Sequence, residues 1–247
     1  MKRIKKIPDI YIIFLVYALI GWLYEVIWLM FVVPPYHFVN RGVLFGPFLP
    51  IYGIGMLMLL VILNKFMKEK HTLKNPIYLI ISVLTIVTFI YTTIVEYTTP
   101  KIYNPIDYLT NYGIGLLLVI LITLIITYIL VKNNKKLQKI DVTIILVFIA
   151  IWLITTSLEY VVHYLNEAFR NELLWDYSKD FLNINRRVNW DASRNFAIGG
   201  TLMLYVVQPL IDKLLKKIKN PQKLWITIII GIPMLIDLIF HVILKMI

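Results

Sequence analysis

Apolar runs of about twenty residues or more recur from one end of this chain to the other, separated by short polar segments. A helix rising about 1.5 Å per residue needs that length to cross roughly 30 Å of hydrocarbon. Inside a bilayer every backbone N–H and C=O must be paired within the protein, which leaves helices and closed barrels. Barrel strands would show as segments of about ten residues alternating in polarity, and these runs do not alternate. The chain therefore reads as all-α, a polytopic helical membrane protein. Of its 247 residues 60% are hydrophobic and 16% charged, against about 45–50% and about 25% in soluble domains.

The runs predict seven transmembrane helices in a single membrane domain, over 9–33, 47–67, 76–99, 111–131, 142–166, 194–212 and 224–245. The opening MKRIKK looks like the start of a signal peptide. The run that follows, to Val33, is too long for one and lacks a small-residue cleavage site, so it reads as a retained first helix. Lysine clusters at 2–6, 65–74, 132–139 and 213–223 hold four, four, four and five Lys or Arg of the chain's 25. All four clusters fall on one side, so the positive-inside rule places the N-terminus in the cytoplasm and the C-terminus outside. The formal charge of +11 is thus a topology signal rather than a nucleic-acid surface, and no nucleic-acid partner is expected. With no cysteine, disulfide and thiolate chemistry are excluded. The segment 167–193, polar yet carrying five aromatics, is expected to fold back as an extracellular cap.

Every outward-running helix carries one acid beyond its midpoint: Glu25, Glu96, Glu159 and Asp237. An ionisable group in a span is costly unless paired or wetted, so the four point to one polar pocket open to the outside. Arg41, Arg170, Arg186, Arg187 and Arg194 are its candidate counter-charges, the planar guanidinium fork matching carboxylate or phosphate. His163 and His241 each follow an acid by four residues, on the same helix face. No HExxH accompanies them, and proton relay or hydrogen bonding is the preferred reading over a metal; no cofactor is expected. His37 and His71 fall in loops and carry no reading.

The stretch Phe38–Gly55, FVNRGVLFGPFLPIYGIG, joins the first two runs. Asn40-Arg41-Gly42 reads as a tight turn, with Asn bonding its own backbone and Gly free to take positive φ. Gly46-Pro47 marks the break before the second helix, and Gly53 and Gly55 allow close packing. Arg41 is placed within reach of Glu25. Similar small-residue starts recur at Gly113 and Gly115 and at Gly199 and Gly200, the pattern of a helical hairpin repeated three times with a seventh helix appended. Pro209 and Pro233 lie inside their helices and are expected to kink them.

GWLYE at 21–25 with the NRGVLFGPFLPIYGIG segment, then SLEY at 157–160, WDYS at 175–178 and NINRRV at 183–188, resemble the two conserved blocks of the CmpB-like family of ABC-transporter type IV integral membrane proteins. The resemblance covers about 14–60 and 150–211. It implies a bacterial cytoplasmic-membrane protein and nominates Asn40, Arg41, Gly42, Gly46, Pro47, Trp175, Asp176, Asn185 and Arg187. Family members carry Gly where Arg186 stands, which makes Arg187 the equivalent arginine. The chain has no GxxxxGK[ST], so an ATPase would be a separate subunit; a second copy of the chain and the bilayer itself are the other expected partners. Three function classes follow: a transporter component binding a polar or charged solute, an intramembrane enzyme acting on lipid, and a non-catalytic assembly or sensor module. The first is preferred, since no GxSxG, HExxH or cysteine supplies a recognised catalytic centre.

Overall fold

The structure is a computed structural model that describes residues 7–32, 36–40, 42 and 46–244, apart from the side chains of residues 170, 238 and 241–244. Among these the chain is helical without a strand: α1 (Ile7–Phe31), α2 (Pro50–Leu63), α3 (Pro76–Thr98), α4 (Pro105–Asn133), α5 (Thr143–Arg170), α6 (Trp190–Leu202), α7 (Gln208–Lys217), α8 (Asn220–Ile226) and α9 (Ile232–Leu244). Five stretches are long and apolar enough to cross a membrane: Ile7–Phe31, Pro76–Thr98, Pro105–Asn133, Thr143–Phe169 and Trp190–Lys217. Pro50–Leu63 is a shorter apolar helix.

Local chemistry explains the helix ends. Asn75 and Asn104 each accept a hydrogen bond from the backbone N–H two residues on, with proline at the first helical position, a favourable start because that N–H would be unpaired anyway. This cap moves the start of α4 to Pro105, six residues before the expected 111. The second helix starts at Pro50 rather than 47, and Pro47 lies in the bend before it. α5 runs four residues beyond its expected end at 166, to Arg170, and stops where Asn171 takes a left-handed conformation (φ 52°).

The chain divides into two compact units, Met1–Ile62 with Leu204–Ile247, and Leu63–Met203. In the terminal unit α1 packs on α8 and on the π-helical turn Thr227–Gly231. Leu15, Ala18 and Met234 form its core with Tyr11, Phe14 and Phe48 around them. α1 and α2 meet through glycine. A Cβ at Gly53 would lie 2.5 Å from the Phe14 ring and 2.6 Å from its carbonyl oxygen, and one at Gly21 would lie 2.2 Å from the Tyr52 ring. Only a missing side chain permits that approach.

Two π-helical turns, Met203–Val207 and Thr227–Gly231, each end two residues before a proline, Pro209 and Pro233. A proline donates no hydrogen bond and its ring crowds the carbonyl four residues back, here Tyr205 and Ile229. Each turn widens at that carbonyl to admit the ring.

In the central unit α3 packs on α4 and α5, and α5 on α6. Phe89, Phe148, Trp152 and Trp190 meet at ring-centroid distances of 4.9–6.3 Å. The segment after α5 lies over the α3–α4 connection: the N–H groups of Leu182 and Asn183 donate to the carbonyls of Ile102 and Tyr103, and Phe181 is buried beside Val95 and Tyr108.

Candidate functional site

The central unit gathers most of the nominated side chains where α3 and α5 end and α4 and α6 begin. Glu96 of α3 takes a 2.8 Å ion pair from Arg194 of α6, their side chains only 10% and 12% exposed; Arg194 also bonds Asp191 one turn earlier. Glu159 of α5 is buried and accepts a hydrogen bond from the Tyr177 hydroxyl at 3.2 Å. Two turns on, Glu167 binds both arginines of the NINRRV segment, Arg186 through Oε1 and Arg187 through Oε2, each at 2.8 Å. The Arg187 guanidinium lies 5.4 Å from the ring centres of both Tyr160 and Tyr164, a cation–π arrangement from residues one turn apart.

The arginines are delivered by a tight turn. Ile184 N–H donates to the Val188 carbonyl and Arg187 N–H to that of Ile184, with Asn185 at φ 50° and Arg186 at φ 57°. Two consecutive left-handed residues define a type I′ turn, whose second position normally holds Gly. Arg186 therefore occupies a glycine position, kept there by the Glu167 pair. The Asn185 amide donates to the Tyr160 hydroxyl at 3.0 Å, and the Trp175 indole N–H donates to the Arg187 carbonyl at 2.7 Å. Backbone and side-chain hydrogen bonds from Ser178 hold the Asp176 carboxyl below the usual carboxylate range.

His163 is fully buried, edge-to-face with Trp175 at 5.1 Å. Among the described residues neither ring nitrogen has a hydrogen-bond partner. Its Nε2 lies 4.0 Å from Glu167 Oε2.

In the terminal unit Glu25 accepts a 2.6 Å hydrogen bond from the Tyr52 hydroxyl. Asn40 Oδ1 accepts from the Gly42 N–H at 2.9 Å and from the Trp22 indole at 2.7 Å, so the Asn turn exists and is pinned to α1. The described glycines take no positive φ. Gly42 answers a different need, because a Cβ there would lie 2.2 Å from the Gly46 carbonyl oxygen. A Cβ at Gly46 would lie 3.7 Å from Asp237 Oδ2, which sets that acid beside the segment before α2. Arg41 and the side chains of Arg170 and His241 lie outside the described residues. A Cβ at Gly115 would meet the Tyr91 hydroxyl at 2.5 Å, one at Gly113 only Leu109 of its own helix, and one at Gly55 or Gly199 nothing within 4 Å; Gly200 lies within α6.

The four acids thus divide between the two units, Glu25 and Asp237 in one, Glu96 and Glu159 in the other. Glu167, Tyr52, Tyr177 and Asp191 were not nominated from sequence. Glu167 was within reach, since Glu159, His163 and Glu167 step by four along one helix face; ending that helix at 166 removed it. Two further buried groups were not foreseen in the terminal unit. Tyr17 donates to Gln208, which donates to Asp212, and Asp9 pairs with Lys223 at 2.7 Å. Among the described residues no three His, Asp or Glu side chains converge as a metal site.

Fold and site together define a multi-pass helical membrane protein that holds carboxylates inside its helices by tyrosine hydroxyls and arginines. A family profile described as "Putative ABC-transporter type IV" matches residues 12–107 and 102–242, and the chain belongs to that family. No curated protein and no solved structure matches the chain.

Proposed function

We propose that the chain is the membrane-embedded component of a transporter that binds a polar or charged solute at its intramembrane carboxylates. The reading places seven spans in a bacterial cytoplasmic membrane, with the N-terminus inside and the C-terminus outside. Energy would come from a separate ATPase subunit, since the chain has no phosphate-binding loop of its own.

One observation carries the reading. Glu25 sits nearly two turns inside α1, where an isolated carboxylate costs several kcal/mol, yet its hydrogen-bond partner is the neutral Tyr52 hydroxyl. No ion pair to Glu25 occurs among the described residues. Glu96, by contrast, carries its own arginine. Within this reading the hydroxyl orients the Glu25 carboxylate toward a solute cation or a proton. Glu159 likewise accepts a hydrogen bond from a tyrosine hydroxyl, that of Tyr177, in the central unit. Arg187 is committed to Glu167 and two tyrosine rings, so within this reading it holds the cap segment and does not clamp solute.

The test is a solute panel of choline, arginine, succinate and phosphate, read as the unfolding temperature of the purified full chain in neutral detergent. Uptake of any stabilising solute into proteoliposomes, with its partner ATPase where required, follows. A cationic solute that stabilises the wild type but not Glu25→Gln supports the reading. Stabilisation by no solute, or stabilisation unchanged in both Glu25→Gln and Glu159→Gln, rejects it.

A further inference from the structure

The lysine-rich connections 64–75 and 132–142 are not independent loops. Thr72 and Asp141 bridge in antiparallel fashion, and Leu73 and Lys74 N–H groups donate to the carbonyls of Ile140 and Gln138. Val142 N–H returns to the His71 carbonyl at 2.8 Å, and the Thr143 hydroxyl accepts from the His71 N–H at 3.0 Å. Asp141 in turn binds the Thr143 N–H and hydroxyl. His71, given no role from sequence, is the buried centre of this junction, 3% exposed, with Phe66 stacked on it at 3.9 Å and Tyr78 edge-on at 5.0 Å. Leu73 and Leu137 turn inward onto Leu79, Val83 and Val131.

This junction fixes where the charge goes. All four lysines of each connection are exposed, while only Glu69 and Asp141 offset them, and Asp141 is engaged in the junction. Eight like charges tied to one rigid plate repel one another unless an anionic surface meets them. The plate lies at the ends of α3, α4 and α5, three of the membrane-crossing helices, which is the depth of lipid headgroups. Leu73 and Leu137 turn inward and Ile140 is the one exposed large apolar side chain among the eight lysines of the described plate, whereas protein interfaces centre on apolar and aromatic residues and are poor in lysine. We propose that the paired connections form a preorganised seat for anionic phospholipid headgroups, several phosphates wide. The proposal is independent of the solute reading and of which leaflet the plate faces.

The purified full chain, in neutral detergent, is titrated with phosphatidylglycerol and, separately, with phosphatidylcholine, following its unfolding temperature. Phosphatidylglycerol is expected to stabilise more. Replacing Lys65, Lys68, Lys136 and Lys139 by Gln should raise the phosphatidylglycerol concentration for half the shift by about tenfold or more. Preorganisation has its own readout. Thr143→Val keeps every charge and Asp141→Ala adds net positive charge, yet each should reduce the phosphatidylglycerol advantage, and either suffices if the other fails to fold. Equal stabilisation by the two lipids overturns the proposal, as does a full advantage in the lysine variant or in the junction variants. Stabilisation by soluble glycerol phosphate at matched phosphate would assign the seat to a free anion instead, and stabilisation by polyglutamate without lipid preference would assign it to an acidic protein.

Discussion

The Glu96–Arg194 pair offers the most exacting test of how this membrane unit is held together. With side chains 10% and 12% exposed and a 2.8 Å contact, it lies much nearer the buried than the surface limit. Exposed ion pairs contribute about 0–1 kcal/mol, whereas removing one partner of a buried pair costs about 3–5 kcal/mol, because the other charge is left behind. Asp191 is 45% exposed and can turn to water, so Glu96 is the charge that would be stranded. Arg194→Met should therefore cost about 3 kcal/mol. Glu96→Met leaves Arg194 its Asp191 partner and should cost less, about 1–2 kcal/mol. The double variant removes both charges and should be more stable than Arg194→Met alone, a coupling of at least about 1 kcal/mol. Reversible unfolding in micelles, run as a double-mutant cycle, measures it. Additive losses would refute the assignment of Glu96 as a buried charge that depends on Arg194.

Arg186→Gly should fall within about 1 kcal/mol of the wild type in the same assay: relief of a left-handed residue, worth about 1–2 kcal/mol, opposes loss of a half-exposed ion pair worth up to about 1 kcal/mol. Arg186→Val, which loses the pair and keeps the strain, should be clearly worse. Gly53→Ala should cost about 2 kcal/mol or more, because its Cβ would meet Phe14 backbone and ring, while Gly55→Ala and Gly199→Ala, facing open space, should leave yield and unfolding temperature unchanged. Hydrogen bonds from Thr143 hold the Asp141 carboxyl below its usual range. Its contribution to the junction is thus full above about pH 4, the ordinary Asp value, and is lost as pH falls through the depressed one. Amide exchange at Leu73 and Val142 should accelerate on that descent in the wild type and show no such step in Asp141→Ala.

The membrane-crossing helices were legible because length and polarity alone decide them. Their ends were less so, since a cap such as Asn104-Pro105 starts a helix inside a stretch that still carries Asp107 and Asn111. The division of the chain was not legible at all. A helix meant for lipid is apolar on every face, so the sequence does not mark which face meets another helix. α4 is the extreme case, being the most hydropathic span and only 6% buried. At the site, acids could be found but not their partners. Tyr52 and Tyr177 look like any interfacial aromatic until the fold brings each hydroxyl to a carboxylate. His71 was passed over because a loop histidine beside lysines shows nothing of the partner loop, about seventy residues away, that buries it.

The π turns before Pro209 and Pro233 amount to single-residue insertions within otherwise regular helices. One extra residue rotates everything downstream by about 100° relative to an uninterrupted helix. A helical wheel drawn straight through 203–207 would consequently put Gln208 and Asp212 on the wrong face, away from Tyr17, to which Gln208 is hydrogen-bonded. Deleting one residue from that turn, rather than replacing any side chain, is the smallest change that would dismantle this network.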